Sequence, residues 1–205
     1  MGDIVTMDDL TNQEIVAVLD DAERLVPVAR GDVYLPLLQG KVLANMFFEN
    51  STRTRMSFET AMKRLGGSVL NFTSIGTSVA KGETLYDTMQ MIDGYADVAA
   101  IRHPRQGAAQ YSADAVEIPI LNAGDGAGNH PTQTMLDLFT IRQAHGTLEG
   151  LNVVLVGDLR YGRTVHSLSH ALVRFGAKLT LVSPSTLKMP VEIVSDLREH
   201  GSEIM

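Results

Sequence analysis

Residues 41–48 read KVLANMFF, and residues 50–55, directly behind them, read NSTRTR. The first stretch is a short, almost uninterrupted apolar run, the pattern of a strand buried on both faces as in a parallel sheet. The second opens a helix predicted over Thr52 to Leu65 and closed by Gly66-Gly67. Working outward, the same alternation of strand and helix fills the chain. Upstream, a helix begins near Thr11, which forms a capping box with Glu14 and leads an apolar face of Ile15, Val18, Leu19, Ala22, Leu25 and Val26. Downstream, strands are predicted at Ser68–Phe72, Asp97–Arg102 and Pro119–Ala123. Helices are predicted at about Glu83–Tyr95, near Gln106–Tyr111, and from Pro131 to about Ala144, the last with a stripe of Met135, Leu136, Leu138, Phe139 and Ile141.

The pattern then restarts with strand Asn152–Val156, helix Arg163–Phe175, strand Lys178–Val182 and helix Pro190–His200. This order predicts an α/β protein with two parallel-sheet α/β domains. Residues 1–130 form the first, 131–150 a connecting helix, and 151–205 the start of the second.

Composition narrows the function. The 205 residues carry 17 Lys+Arg against 24 Asp+Glu, a formal charge of −7, with 44% apolar residues and no Cys or Trp. Without cysteine there is no disulfide framework, thiolate nucleophile, thiolate zinc site or iron–sulfur cluster. No apolar run approaches the roughly 18 residues of a membrane span, and the N-terminus lacks the basic-then-apolar order of a signal peptide. A cytoplasmic protein with no membrane partner is therefore expected. An acidic chain repels nucleic acid, so any bound anion must be held by a local basic cluster.

Such clusters fall where strands feed helices, the edge at which open parallel sheets bind ligands. At Asn50–Arg55, the positive end of a helix, three hydroxyls and the planar fork of Arg53 converge, an arrangement suited to phosphate. An ordinary Ser/Thr cap followed by two surface arginines explains any one of these residues but not their density. Arg102-His103-Pro104 closes another strand and can face the same crevice, although Arg and His are common at strand ends. Gly124–Asn129 leads to His130-Pro131-Thr132-Gln133, where Pro131 suits the first helical position, His130 the cap and Gln133 the turn below. An imidazole and a carboxamide there can polarise a carbonyl or hold an amide NH₂; a solvated cap histidine is the plainer alternative. Ser78–Gly82 lies in a polar loop, where a lysine is ordinarily just solvated. Gly157–Thr164 nearly matches a nucleotide P-loop but has Arg163 in place of its lysine, which suits a carboxylate better than a triphosphate.

Together these motifs resemble the carbamoyltransferases. Ser51-Thr52-Arg53-Thr54-Arg55 with Met56-Ser57-Phe58-Glu59, and Arg102-His103-Pro104, carry the resemblance to the superfamily. Gly124-Asp125-Gly126, His130–Thr134, Leu136–Thr140 and Gly157–Ser167 are similar to the aspartate-specific branch rather than the ornithine-specific one. Three departures stand out: Asn50 ahead of the phosphate motif, Gly128-Asn129 ahead of His130, and a second domain that in the family continues beyond position 205.

The resemblance implies a carbamoyl-phosphate-binding domain and an incomplete aspartate-binding domain. Ser51, Thr52, Arg53 and Thr54 would cradle the phosphate; Thr54, Arg102 and His130 would contact the carbonyl oxygen; Gln133 would hold the carbamoyl NH₂. Arg53, Thr54, Arg102 and His130 would be the catalytic set. Ser78 and Lys81 would reach into the neighbouring subunit's site, implying a homotrimer, possibly joined by regulatory chains. Lys81 and Arg163 would bind L-aspartate. No metal or organic cofactor is implied. A non-catalytic carbamoyl-phosphate-binding module is the alternative expectation, with a P-loop hydrolase a distant third.

Overall fold

The apolar run at 41–48 forms β1 (Val42–Phe47), buried along nearly its whole length. The structure is a computed structural model that describes residues 2–73, 77–126, 128–201 and 203–205, without the side chain of Arg163. Its contacts divide the chain into two units. One is Met1–Val5 with Asp20–Gly128, and the other is Thr6–Leu19 with Asn129–Met205.

In chain order the helices are α1 (Asn12–Arg24), α2 (Val26–Arg30), α3 (Thr52–Arg64), α4 (Leu85–Asp93), α5 (Ala108–Ala113), α6 (Pro131–His145), α7 (Arg163–Arg174) and α8 (Val191–Glu199). The other strands are β2 (Ser68–Thr73), β3 (Val98–His103), β4 (Ile120–Asp125), β5 (Asn152–Val156) and β6 (Lys178–Val182). Thr11 and Glu14 make the expected capping box, their backbone N–H groups donating to each other's side chains at 2.8 and 3.2 Å. The predicted first helix instead breaks at Leu25. A short second helix follows, with Pro27 in its first turn, where the missing N–H costs nothing.

The first unit holds a four-stranded parallel sheet in the order β2-β1-β3-β4. Its two faces follow from the period of two along each strand. Leu43 and Ala100 point to the face covered by Phe58 and Met62 of α3. Ala44, Met46 and Ile101 point to the other, against Met89 and Ile92 of α4 and Ala109 of α5. Full burial of a side chain such as Met46 or Ile101 contributes about 1.5–3 kcal/mol. The free edge of β4 is covered by the N-terminal segment, where the Ile4 N–H donates to the Ile120 carbonyl at 2.8 Å and the Asn122 N–H donates to the Ile4 carbonyl at 2.9 Å. Covering the edge in this way removes a template for unwanted strand pairing.

The pairing of β3 with β4 is irregular at one place. Ile101 faces Asn122 and His103 faces Asp125, so Ala123 and Gly124 together oppose Arg102. This is a β-bulge, and Gly124, at φ +116°, supplies a backbone that other residues rarely adopt.

In the second unit β5 and β6 pair in parallel and in continuous register. Leu155, Leu159 and Met189 form a core with side chains of α7 and α8. Arg174, at the end of α7, grips the N-terminal segment of this unit. Its guanidinium donates to the carbonyls of Met7 (2.8 Å) and Leu10 (2.5 Å) and to Asn12 Oδ1 (2.8 Å), while Asn12 Nδ2 donates to the Arg174 carbonyl (2.9 Å). In α6 the predicted stripe is partly displaced: Leu138 is buried, but Leu136 is 58% exposed, and Pro131 and Thr134 take up the interior instead.

Two histidines respond to opposite environments. His200 Nδ1 lies 2.8 Å from the Asp196 carbonyl and 3.7 Å from its carboxylate, and these two contacts raise its pKa above the ordinary 6.5. In the first unit, burial and then the Arg105 charge lower that of His103 below 6.5. By linkage, His200 contributes stability that is present below pH about 6.5 and lost as pH rises through its folded pKa. His103 contributes stability that is present above about 6.5 and lost as pH falls toward its folded value. Imidazole resonances followed by NMR are expected to titrate with His200 above His103, and the reverse order would contradict these environments.

Candidate functional site

In the first unit the chain leaves β1 toward the α3 face and leaves β3 toward the α5 face. Neighbouring strands whose connections diverge in this way open a crevice at their carboxyl ends, the switch point where α/β sheets bind ligands. The segments 50–55 and 102–104 emerge on its two sides.

Ser51 occupies the N-cap of α3 with extended backbone (φ −155°, ψ 108°), but its hydroxyl makes no capping bond, and the first turn holds no acidic side chain. The contrast within the same chain is plain, since α4 is capped by Thr84 Oγ1 accepting from the Asp87 N–H at 3.2 Å, with Asp87 in its first turn. The positive end of α3 is thus not capped by the Ser51 side chain and has no acid in its first turn, which Thr52, Arg53 and Thr54 form. Thr52 and Arg53 are exposed and Thr54 is partly buried. The helix is anchored from beneath, with Asn45 Nδ2 on β1 donating to the Arg55 carbonyl at 3.1 Å.

Arg102 enters the crevice from β3. Its residue is only 9% exposed, its Nη1 donates to the carbonyl of Ala123 in the bulge (3.2 Å), and its Nη2 to Glu49 Oε1 (3.3 Å). Glu49 belongs to the connection between β1 and α3, so Arg102 is tied to the same loop that presents the anion motif. The buried Nε of Arg102 has no partner among the described residues. His103 points to the opposite face of the sheet, where its ring lies 5.1 Å from Phe48 and lines a cavity of about 800 Å³ with Glu83, Arg105 and Tyr111. The Arg105 N–H donates to His103 Nδ1 at 3.0 Å, which leaves the proton of the neutral ring on Nε2.

Ser78 and Lys81 sit on an exposed 3-10 turn spanning Ser78–Lys81, closed by Gly82 in the left-handed region at φ +96°. Residues 74–76 of the loop predicted at Thr73–Gly82 lie outside the described residues, as does Ala127 of the glycine-rich turn.

His130 and Gln133 belong to the second unit. His130 is the N-cap of α6 and Pro131 its first residue, as the sequence predicts, but the ring does not cap the helix. It is 5% exposed, with Nδ1 3.3 Å from Thr132 Oγ1. Gln133 donates to Asp137 Oδ1 at 3.1 Å, and burial raises the pKa of that carboxyl above its usual value.

The loop before α7 does not have the chemistry of a nucleotide P-loop. Asp158 Oδ1 accepts the backbone N–H groups of Arg160 and Tyr161, both at 3.0 Å, so donors that a phosphate would need are already taken. Arg163 is the first residue of α7, and its side chain lies outside the description.

Two acidic residues of this region have roles that the sequence does not mark. Glu49 reads as an isolated acid before a polar run. Asp125 reads as part of a glycine-rich turn, whereas it ends β4 with its carboxylate buried.

Comparison with known proteins finds relatives of the chain. The family described as aspartate/ornithine carbamoyltransferase, carbamoyl-P binding domain, matches residues 2–143. The aspartate carbamoyltransferase catalytic subunit of Methanothrix thermoacetophila is 54% identical over 98% of this chain and 66% of its own length. That of Methanothermobacter thermautotrophicus is 52% identical over 98% of this chain and 65% of its own. The chain thus spans slightly less than two thirds of these relatives. Among solved structures, the catalytic subunit of M. jannaschii aspartate transcarbamoylase superposes with a TM-score of 0.93 at 47% identity, over 100% of this chain and 67% of that one. Trypanosoma cruzi aspartate transcarbamoylase in complex with carbamoyl phosphate and aspartate gives 0.94 at 42% identity, over 99% of this chain and 66% of that one.

Proposed function

The chain belongs to the aspartate/ornithine carbamoyltransferase family, and from that premise we propose that it serves an aspartate carbamoyltransferase catalytic chain. The reaction is transfer of the carbamoyl group of carbamoyl phosphate to the amine of L-aspartate, giving N-carbamoyl-L-aspartate and phosphate for pyrimidine biosynthesis. The observation that carries this reading is the uncapped, acid-free start of α3 at the switch point, with Arg102 tied to the same loop. The relative from Trypanosoma cruzi in complex with both substrates supports the choice of substrates.

In this reading Ser51, Thr52, Arg53 and Thr54 hold the phosphate through the helix N-terminus and the Arg53 fork. Thr54, Arg102 and His130 stabilise the charge that builds on the carbonyl oxygen as the amine nitrogen adds to the carbonyl carbon. The carbon–oxygen bond to phosphate then breaks and the amine loses a proton. Gln133 orients the carbamoyl NH₂, and Arg163 and Lys81 bind the carboxylates of aspartate. Ser78 and Lys81 act in the site of a neighbouring copy, so the working form is a cytoplasmic homotrimer, with room for regulatory chains.

Phosphate release that requires both carbamoyl phosphate and L-aspartate is the expected result. Release that ignores aspartate would sink the reading. The second reading is a carbamoyl-phosphate-binding module without turnover. Saturable carbamoyl phosphate binding with no phosphate release would establish it. Shared sites make a further prediction. Mixing Arg53→Ala with Lys81→Ala chains in equal amounts should restore roughly a quarter of the wild-type activity, the share of intact sites in randomly assembled trimers. No recovery in mixed trimers would count against sharing.

A further inference from the structure

We propose that Asp125 is a positioning residue that closes the β-bulge opposite Arg102 and so sets where the Arg102 guanidinium lies. The inference rests on the proposed carbamoyl phosphate site, and it adds a residue to which no part of that site has yet been assigned.

Asp125 ends β4 and is 3% exposed. Its two carboxylate oxygens do different work. Oδ2 accepts the Gly107 N–H at 2.8 Å, and Gly107 lies in the turn that follows Arg102-His103-Pro104. Oδ1 accepts Asn122 Nδ2 at 3.2 Å. Asn122 in turn donates to the Val5 carbonyl at 2.9 Å and accepts the Gly124 N–H at 2.8 Å, which pins the near side of the bulge. From the far side, the Gly126 N–H donates to the His103 carbonyl at 2.9 Å.

The result is a clasp around a single position. Bonds from Asp125 and Gly126 fasten the turn after β3 to the end of β4, while Asn122 fastens the bulge itself. Between them sits the Ala123 carbonyl, which receives Arg102 Nη1 at 3.2 Å. A bulge re-aims the residue opposite it, and this one is held open by side-chain chemistry rather than by turn propensity. The glycines show how closely the parts fit. A Cβ on Gly126, at φ +55°, would lie 2.8 Å from the Pro104 carbonyl oxygen and 2.9 Å from the Gln106 nitrogen.

Only a carboxylate serves here, because both oxygens face N–H donors. Asparagine keeps the shape but turns an NH₂ toward Gly107 or Asn122, setting donor against donor. Asp125→Asn should therefore release one end of the clasp and let Arg102 move.

The test compares two anions. Inorganic phosphate reads the start of α3 alone, whereas carbamoyl phosphate also reads the carbonyl contact assigned to Arg102. By calorimetry, Asp125→Asn should weaken carbamoyl phosphate by about tenfold or more and inorganic phosphate by less than about threefold, and it should cause no further loss when added to Arg102→Ala. Equal weakening of both anions, or full additivity with Arg102→Ala, would show a merely structural role and overturn the proposal. Gly126→Ala loosens the same clasp without touching the carboxylate and should give the same selective loss, which covers the case in which Asp125→Asn does not fold. The Arg102 Nε–H signal in NMR supplies a readout without ligand. It should shift in either variant, and an unchanged signal would overturn the proposal. If wild-type protein binds carbamoyl phosphate no better than phosphate, the reading of the site fails, and the NMR signal still decides the role of Asp125.

Discussion

Replacing Arg53 by alanine should weaken carbamoyl phosphate binding by about 10- to 150-fold, the loss of one charge-assisted contact of about 1.5–3 kcal/mol. The fold should survive, because Arg53 is exposed in the first turn of α3 and helix formation tolerates alanine well. The Ser57 hydroxyl bond to the Arg53 carbonyl, 2.9 Å, uses only backbone and is kept. Titration calorimetry with carbamoyl phosphate, beside a thermal melt of the variant, separates lost binding from lost structure. Unchanged affinity with an unchanged melt would remove Arg53 from the site and leave the start of α3 as an ordinary helix end. A lysine at this position should recover only part of the loss, since a point charge replaces a planar fork.

The second large effect concerns stability. Arg174→Ala should destabilise the second unit by about 2–4 kcal/mol, because three charge-assisted bonds disappear together and the Met7 and Leu10 carbonyls each lose a donor. Denaturant unfolding followed by a probe in the second unit checks this. A loss within about 0.5 kcal/mol, the range of ordinary surface changes, would mean that water replaces the guanidinium without penalty. Asn12→Ala removes one partner and should cost less. Its effect should not add to that of Arg174→Ala, because the two side chains bond to each other.

How much of this was legible in the sequence depended on whether the signal was local. β1, β5 and β6 announce themselves as apolar runs of strand length, and the Thr11–Glu14 box marks its helix start because both partners lie within one turn. Pro131 placed His130 at the cap for the same reason. The bulge at Arg102 was not legible. Although β4 ends the sheet, it is buried on both faces, so slipping it by one residue leaves its burial pattern nearly unchanged and register goes unmarked. Asp125 has the sequence context of a turn residue because Gly124 and Gly126 flank it, and only its partners Gly107 and Asn122 reveal a buried role. The placement of Thr6–Leu19 with the second unit likewise has no local signature, since it rests on Arg174, far away in the chain. The proposed anion motif, by contrast, is local in sequence. Hydroxyls and arginines crowd one helix start, and chemistry packed into a few consecutive residues survives any uncertainty about tertiary structure.

The Arg174 clasp also dictates timing. Its bonds join residues 162 to 167 positions apart, so the partners at Met7, Leu10 and Asn12 are synthesised long before the arginine that holds them. At about 5–20 residues per second, that interval lasts on the order of ten to thirty seconds on the ribosome. During it the sheet of β1 to β4 can form, while the segment Thr6–Leu19 waits without its own unit. Until Arg174 is made, a nascent chain of this protein therefore carries Ile15 and Leu19, buried when folded, as an exposed apolar stripe. That window is when a chaperone would find it.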